Sequence, residues 1–244
     1  AALYRKKTYD FDKALYVTAI DQNLHFAQWF KVIEKMGYEW AENLVHVPFG
    51  LVSLEDGKLS TRKGKVVLME ELLDEAVKKT LGIIDEVAKE VGIGAVIFDD
   101  LYNGRIKDIV FSWDRMLNFD GETGPYVQYT HARACSVLKK AGYCDEMKKD
   151  IDYSVLTDDA SADVCKILAN YSAKIKEAAN RYEPSVIARY LVDLSQAFNK
   201  FYHDNIILTD DEAVRKARLM VVDCVRTVLK SGLAILGIKA PEQM

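Results

Sequence analysis

Apolar residues follow two different rhythms along this chain, and the change of rhythm predicts its architecture. Residues 14–20 (ALYVTAI) form a short, partly β-branched apolar run that predicts a buried strand. After Asp21-Gln22-Asn23, residues 24–33 take helical spacing, and the pattern stops at Gly37. Residues 44–52 (LVHVPFGLV) predict a second strand, with Pro48 and Gly50 marking an edge, a bulge or the close approach of a ligand. Strand, helix and strand in this order read as a βαβ unit of a parallel sheet. Asp56-Gly57 opens a loop that runs to Gly64. From about Glu70 a helix sets Leu72, Leu73, Ala76, Val77, Leu81, Ile84 and Val91 on one face. Residues 92–116 show no clear period.

Residues 118–125 (NFDGETGP) break the composition, and beyond them the rhythm is helical throughout. Val164, Ile167, Leu168, Tyr171, Ile175 and Ala178 recur at helical spacing. Pro184 suits the first position of the next helix, which carries Ile187, Leu191, Leu194 and Phe198. Thr209-Asp210-Asp211-Glu212 reads as a capping box opening a helix through Val214, Ala217, Val221, Val225, Val228 and Leu229. Gly232 and Gly237 punctuate its end. The expected fold class is therefore α/β followed by all-α, with domains over 1–117 and 118–244.

Composition narrows the classes without naming a function. Half of the 244 residues are apolar and 29% are charged, with 13 Gly and 4 Pro, so disorder and collagen-like repeats are excluded as the main description. No run approaches the roughly 18–20 apolar residues of a membrane span, and no signal peptide precedes the first strand. The start, Ala1-Ala2-Leu3-Tyr4-Arg5, reads like the interior of a helix and suggests a piece of something longer. Cys135, Cys144, Cys165 and Cys224 are irregularly spaced without a CxxC pair, which points to a cytosolic protein with reduced, mostly buried thiols. Residues 1–120 hold 16 basic and 20 acidic side chains, and 121–244 hold 17 of each. A polyanion would have to be gripped locally.

The densest candidate chemistry is Gly57-Lys58-Leu59-Ser60-Thr61-Arg62-Lys63-Gly64-Lys65. Cations, hydroxyls and flanking glycines without an acid suit a polyphosphate, although a solvated basic loop has the same composition. Gln22, Asn23 and His25 sit where a parallel strand would hand over to a helix, a place that binds ligands in open α/β sheets; equally they are a helix cap and a packed ring. Pro48-Phe49-Gly50 offers backbone groups and an aromatic wall to a base, or merely a bulged edge. Tyr126, Gln128, Tyr129, His131 and Arg133, echoed by Phe198, Phe201 and Tyr202, read either as stacking platforms for unpaired bases or as bundle core. No Ser-His-Asp order, HExxH or Walker A pattern is present.

Together these segments resemble the arginyl-tRNA synthetases, a family of class I aminoacyl-tRNA synthetases. The resemblance is carried by 44–52, by Lys-Leu-Ser-Thr-Arg-Lys-Gly at 58–64, by 122–133 (ETGPYVQYTHAR), by Phe-Asn-Lys-Phe-Tyr at 198–202 and by the closing 237–244 (GIKAPEQM). It covers the whole chain and corresponds to the C-terminal half of such an enzyme. It implies a partial Rossmann-like parallel sheet with a KMSKS-type loop, then a helical-bundle anticodon-binding domain. Lys58 and Ser60 match the loop motif directly. Thr61 stands where the motif has its second lysine, so Arg62 and Lys63 are the expected substitutes in the catalytic set. The resemblance further implies arginine binding by Gln22 and an ATP site lined by His25, Phe49, Gly50 and Val52. Tyr126, Arg133, Tyr202 and Met244 match positions that meet the tRNA anticodon.

The implied activity is ATP-dependent formation of arginyl-adenylate and transfer of arginine to its tRNA, with magnesium accompanying ATP and no resident metal or organic cofactor. A cytoplasmic monomer with no membrane partner is expected. The family's HIGH motif has no counterpart in these residues, so the sheet should be incomplete and the chain inactive alone. The alternative reading is a non-catalytic tRNA-binding module.

Overall fold

The computed structural model describes residues 1–54, 57–58, 68–81 and 85–244, with 54, 57 and 58 described by backbone alone. Two compact units emerge: an α/β unit of residues 1–58 and 104–111, and a helical unit of 59–103 and 112–244.

The α/β unit opens with α1 (Ala2–Tyr9), which ends where Asp10 turns left-handed at φ 40°. Strand β1 (Ala14–Ala19) passes through a 3-10 turn, Ile20–Gln22, into α2 (Asn23–Lys35), and a second 3-10 turn, Glu39–Asn43, leads to β2 (Leu44–Phe49). β1 and β2 pair in parallel with Ala14 opposite Leu44 and Ala19 opposite Phe49, so the βαβ expectation holds. The expectation of a wholly buried first strand does not. Leu15 and Val17 are 48% and 61% exposed, because α2 covers only the opposite face, where Tyr16 packs on Phe26, Trp29 and Phe30.

The predicted second strand is two strands. β2 ends at Phe49, and β3 (Val52–Leu54) joins a separate sheet, antiparallel to β4 (Gly57–Lys58) and parallel to β5 (Ile109–Val110). Gly50 makes the switch between them. Its N–H donates to the Arg105 carbonyl at 2.9 Å, and a Cβ there would lie 2.5 Å from the Lys107 carbonyl oxygen. The close approach signalled by this glycine is thus made by the chain's own backbone. Asp108 fixes the same corner by accepting from the Leu51 N–H at 2.7 Å.

In the helical unit the single helix expected from Glu70 to Val91 is two, α3 (Met69–Leu81) and α4 (Ala88–Tyr102). They pack closely where Gly92 of α4 meets Ala76 and Thr80 of α3: a Cβ on Gly92 would lie 2.9 Å from the Ala76 backbone. A short α5 (Trp113–Met116) precedes α6 (Gly124–Lys140), whose start is set by Thr123: its hydroxyl accepts from the Tyr126 N–H at 3.2 Å. Then follow α7 (Asp159–Ala169), α8 (Tyr171–Arg181), α9 (Ser185–Asp204) and α10 (Glu212–Ile235). Pro184 sits one position before α9 rather than inside it. Asp211, not Thr209, caps α10, accepting from the N–H groups of Ala213 and Val214 at 3.0 and 3.1 Å. Gly232 does not end that helix; it lies inside it against Leu191, whose Cδ2 would be 2.5 Å from an added Cβ. Val127, Leu191, Leu194, Phe198, Phe201 and Leu229 are fully enclosed in one core. The thiols are free but not mostly buried, since Cys144 and Cys165 are exposed and Cys135 and Cys224 only partly covered.

Candidate functional site

In the α/β unit, the expected substrate residues leave the carboxyl ends of two paired parallel strands, the edge where open α/β sheets bind ligands. Gln22 and His25 follow β1, and Phe49 and Gly50 close β2, with Ala19 and Phe49 opposite one another in register. Gln22 and His25 are exposed, as are Phe49 and Val52 at 41% and 42%. His25 packs edge-on to Phe26, and Gly50's N–H is already spent on Arg105. Behind this edge lies a group that the sequence did not single out. His46 stacks on Phe26 with ring centres 4.3 Å apart, and its Nε2 is hydrogen-bonded to the Thr18 hydroxyl at 2.8 Å. Only the i+2 alternation of β2 could have indicated that His46 shares a face with its covered neighbours. Lys58 enters β4 opposite Ser53 by its backbone. Ser60, Arg62 and Lys63 lie outside the described residues.

In the helical unit, α6 divides its polar residues between two sides. Tyr126, Tyr129, Thr130 and Arg133 are spaced by three and four residues and face α9. The Arg133 guanidinium lies 4.8 Å from the Tyr129 ring centre and 5.4 Å from that of Tyr202 on α9. Its Nη1 donates to Asn199 Oδ1 at 2.5 Å, and Asn199 Nδ2 donates to the Tyr126 hydroxyl at 2.9 Å. Tyr129 and Tyr202 are 39% and 42% exposed, whereas Phe198 and Phe201 beside them are fully buried. Three of the expected anticodon residues, Tyr126, Arg133 and Tyr202, therefore meet in one half-open aromatic and cationic face. Asn199, the residue that joins them, was missed; an amide inserted in the aromatic run 198–202 was its only signal.

Gln128 and His131 belong to the other side of α6. Both are fully buried. Gln128 Nε2 donates to the Lys239 carbonyl at 2.8 Å and His131 Nδ1 to the Pro241 carbonyl at 2.9 Å, so they hold the closing segment. Burial pushes the His131 pKa below the ordinary imidazole value and raises that of Cys135, whose sulfur lies 3.7 Å from His131 Nε2. Met244 ends the chain after this segment and is partly covered.

Among the described residues no helix is long and apolar enough to cross a membrane, and no group of three or more His, Cys, Asp or Glu side chains is placed to hold a metal.

Comparison with known proteins gives the class first. Residues 1–113 match the family described as tRNA synthetases class I (R), catalytic domain, and residues 127–244 match the DALR anticodon binding domain. The chain is 58% identical over 254 aligned residues to the arginine–tRNA ligase of Halothermothrix orenii and 54% to that of Clostridioides difficile, each match taking in all of this chain and 44% of the relative. The Thermus thermophilus arginyl-tRNA synthetase superposes with a TM-score of 0.87 at 32% identity, over 96% of this chain and 41% of that one. The chain belongs to the arginyl-tRNA synthetase family, and it spans less than half the length of these relatives.

Proposed function

We infer that this chain is the part of an arginine–tRNA ligase that carries the KMSKS-type loop and the anticodon-binding domain, divided functionally at 117/118. In the whole enzyme the arginine carboxylate attacks the α-phosphate of ATP and pyrophosphate leaves; the terminal hydroxyl of the tRNA then attacks the carbonyl of the arginyl-adenylate, and AMP leaves. No enzyme nucleophile takes part; the protein positions the reactants and stabilises charge on the leaving group. Lys58, Ser60, Arg62 and Lys63 hold the phosphates. Gln22 receives substrate arginine, while His25, Phe49, Gly50 and Val52 line the adenosine site at the strand ends. Magnesium arrives on the ATP phosphates, which supply the oxygen ligands it prefers. The protein works in the cytoplasm as a monomer.

For the helical unit, Tyr126, Arg133, Tyr202 and Met244 meet the anticodon loop. The observation that carries this reading is the half-open face at Arg133. Flat rings and a guanidinium are presented to solvent directly beside the fully buried Phe198 and Phe201, as suits unstacked bases. The test is equilibrium binding of the 244-residue chain to an arginine-accepting tRNA and to the same tRNA with its central anticodon base changed. The chain should prefer the first. Equal affinity for both removes the anticodon-reading role. Arginine- and tRNA-dependent AMP formation by this chain alone would refute the expectation that it needs the remainder of the enzyme.

A further inference from the structure

We propose that Asn199 is a positioning residue for anticodon recognition, holding the Arg133 guanidinium in the orientation that meets a base. This rests on the reading that the α6–α9 face receives the anticodon. Arginine has only donors, so the Asn199 amide oxygen must be the atom turned toward Arg133, 2.5 Å from Nη1. The amide nitrogen then faces two oxygens, the Tyr126 hydroxyl at 2.9 Å and the Thr130 hydroxyl at 3.2 Å. Thr130 can accept there because its own proton goes to the Tyr126 carbonyl one turn back, at 2.9 Å. The whole chain of bonds thus has one direction.

Its consequence falls on Arg133. A guanidinium on a long, flexible stem has no preferred plane, and the two flanking rings at 4.8 and 5.4 Å restrict it without fixing its rotation. The bond from Nη1 to Asn199 supplies that rotation. It consumes one N–H of the five, leaving others of a planar fork to pair with adjacent acceptors on a base edge. Asn199 is half-buried and its amide is already engaged by Arg133, Tyr126 and Thr130, so it acts through Arg133 rather than by touching the base.

The experiment uses the 244-residue chain and the same two tRNAs, with melting temperatures measured in parallel. Asn199→Ala should reduce the preference for the parent anticodon by about tenfold, the order expected when one planar contact to a base is lost, while the chain remains folded. Combining it with Arg133→Ala should cost no more preference than Arg133→Ala alone, because both remove the same contact. Additive losses, or a folded Asn199→Ala chain with its preference intact, would overturn the proposal. If Asn199→Ala melts below the assay temperature, Asn199→Asp decides, since its carboxylate still accepts from Arg133 and should keep most of the preference. A folded Asn199→Asp chain without preference would also sink the idea. Failure of the underlying reading looks different: the parent chain itself would not discriminate.

Discussion

The two units spend their apolar residues in opposite ways. In the helical unit Leu194, Phe198, Phe201, Leu229 and Leu233 are sealed from water, and its exposed tyrosines among the described residues are Tyr129, Tyr153 and Tyr202. In the α/β unit, Leu15 and Val17 stand exposed in the middle of β1, while the small core of Ala2, Ile33, Ala41 and Leu44 lies with α1 and α2. Parallel strands normally have both faces covered. The contrast teaches that exposure has to be judged against the element it interrupts. An open tyrosine on a helix with a closed core is a surface for something polar, whereas an open valine in a parallel strand is an uncovered sheet.

The largest effect expected from this contrast is at Phe198. Replacing it with Ala should cost about 3–5 kcal/mol and unfold the helical unit at moderate temperature, while Tyr202→Ala on the same helix should leave the melting temperature almost unchanged and weaken tRNA binding. Circular dichroism melts of the two variants check this; equal destabilisation would place Tyr202 in the core. Gly50→Ala comes next. Its Cβ would strike the Lys107 backbone, which cannot swing aside as a side chain can, so a loss of about 1–3 kcal/mol confined to the α/β unit is expected by hydrogen exchange.

A smaller effect should appear with pH. Burial keeps the His131 pKa below the ordinary 6.5. Above 6.5 the ring is neutral in the folded and unfolded chains alike, and its contribution is fully present. As the pH falls through 6.5 the unfolded chain binds a proton that the folded ring refuses, so stability is lost until the lower, folded pKa is passed. The melting temperature should therefore fall more steeply between about pH 7 and 5 than in His131→Gln, which has no proton to bind. Matching slopes would remove His131 as the cause. The smallest effect belongs to Leu15→Thr and Val17→Thr, each expected within about 0.5 kcal/mol of the parent in the isolated chain. A large loss at either would show that this strand face is covered.

Much of this was legible in the residue order, for different reasons in the two halves. Helical periodicity marks α9 and α10, whose buried positions form continuous stripes such as Ile187, Leu191, Leu194 and Phe198. It runs α7 and α8 together, because Val164 to Ala178 keep helical spacing across the break at Asn170. The division of 44–52 at Gly50 escaped because the partner that forces it, Lys107, is remote in sequence. The break between α3 and α4 escaped because Ala76 and Val91 are apolar in either arrangement. At the Arg133 face, residue types gathered Tyr126, Gln128, Tyr129, His131 and Arg133 into one cluster, and the family resemblance singled out Tyr126, Arg133 and Tyr202. They could not show that Gln128 and His131, within the same cluster, turn away to bond the carbonyls of Lys239 and Pro241. Side chains that bond remote backbone leave no local pattern.

The return of residues 104–111 to the α/β unit has a consequence for how the protein is made. Asp108 bonds Leu51 across 57 positions, so β3 waits for a strand that is synthesised after α3 and α4. A nascent chain can form α1, β1, α2 and β2 early, yet their corner at Gly50 has no partner until Arg105 has emerged. Closing such a circuit costs entropy that rises only with the logarithm of its length, about 0.6 kcal/mol for each doubling. Residues added between Lys58 and Gly104 without disturbing α3 or α4 should therefore change the cost of closing the circuit very little. A one-residue shift between Gly104 and Asp108 would break every bond that closes the circuit.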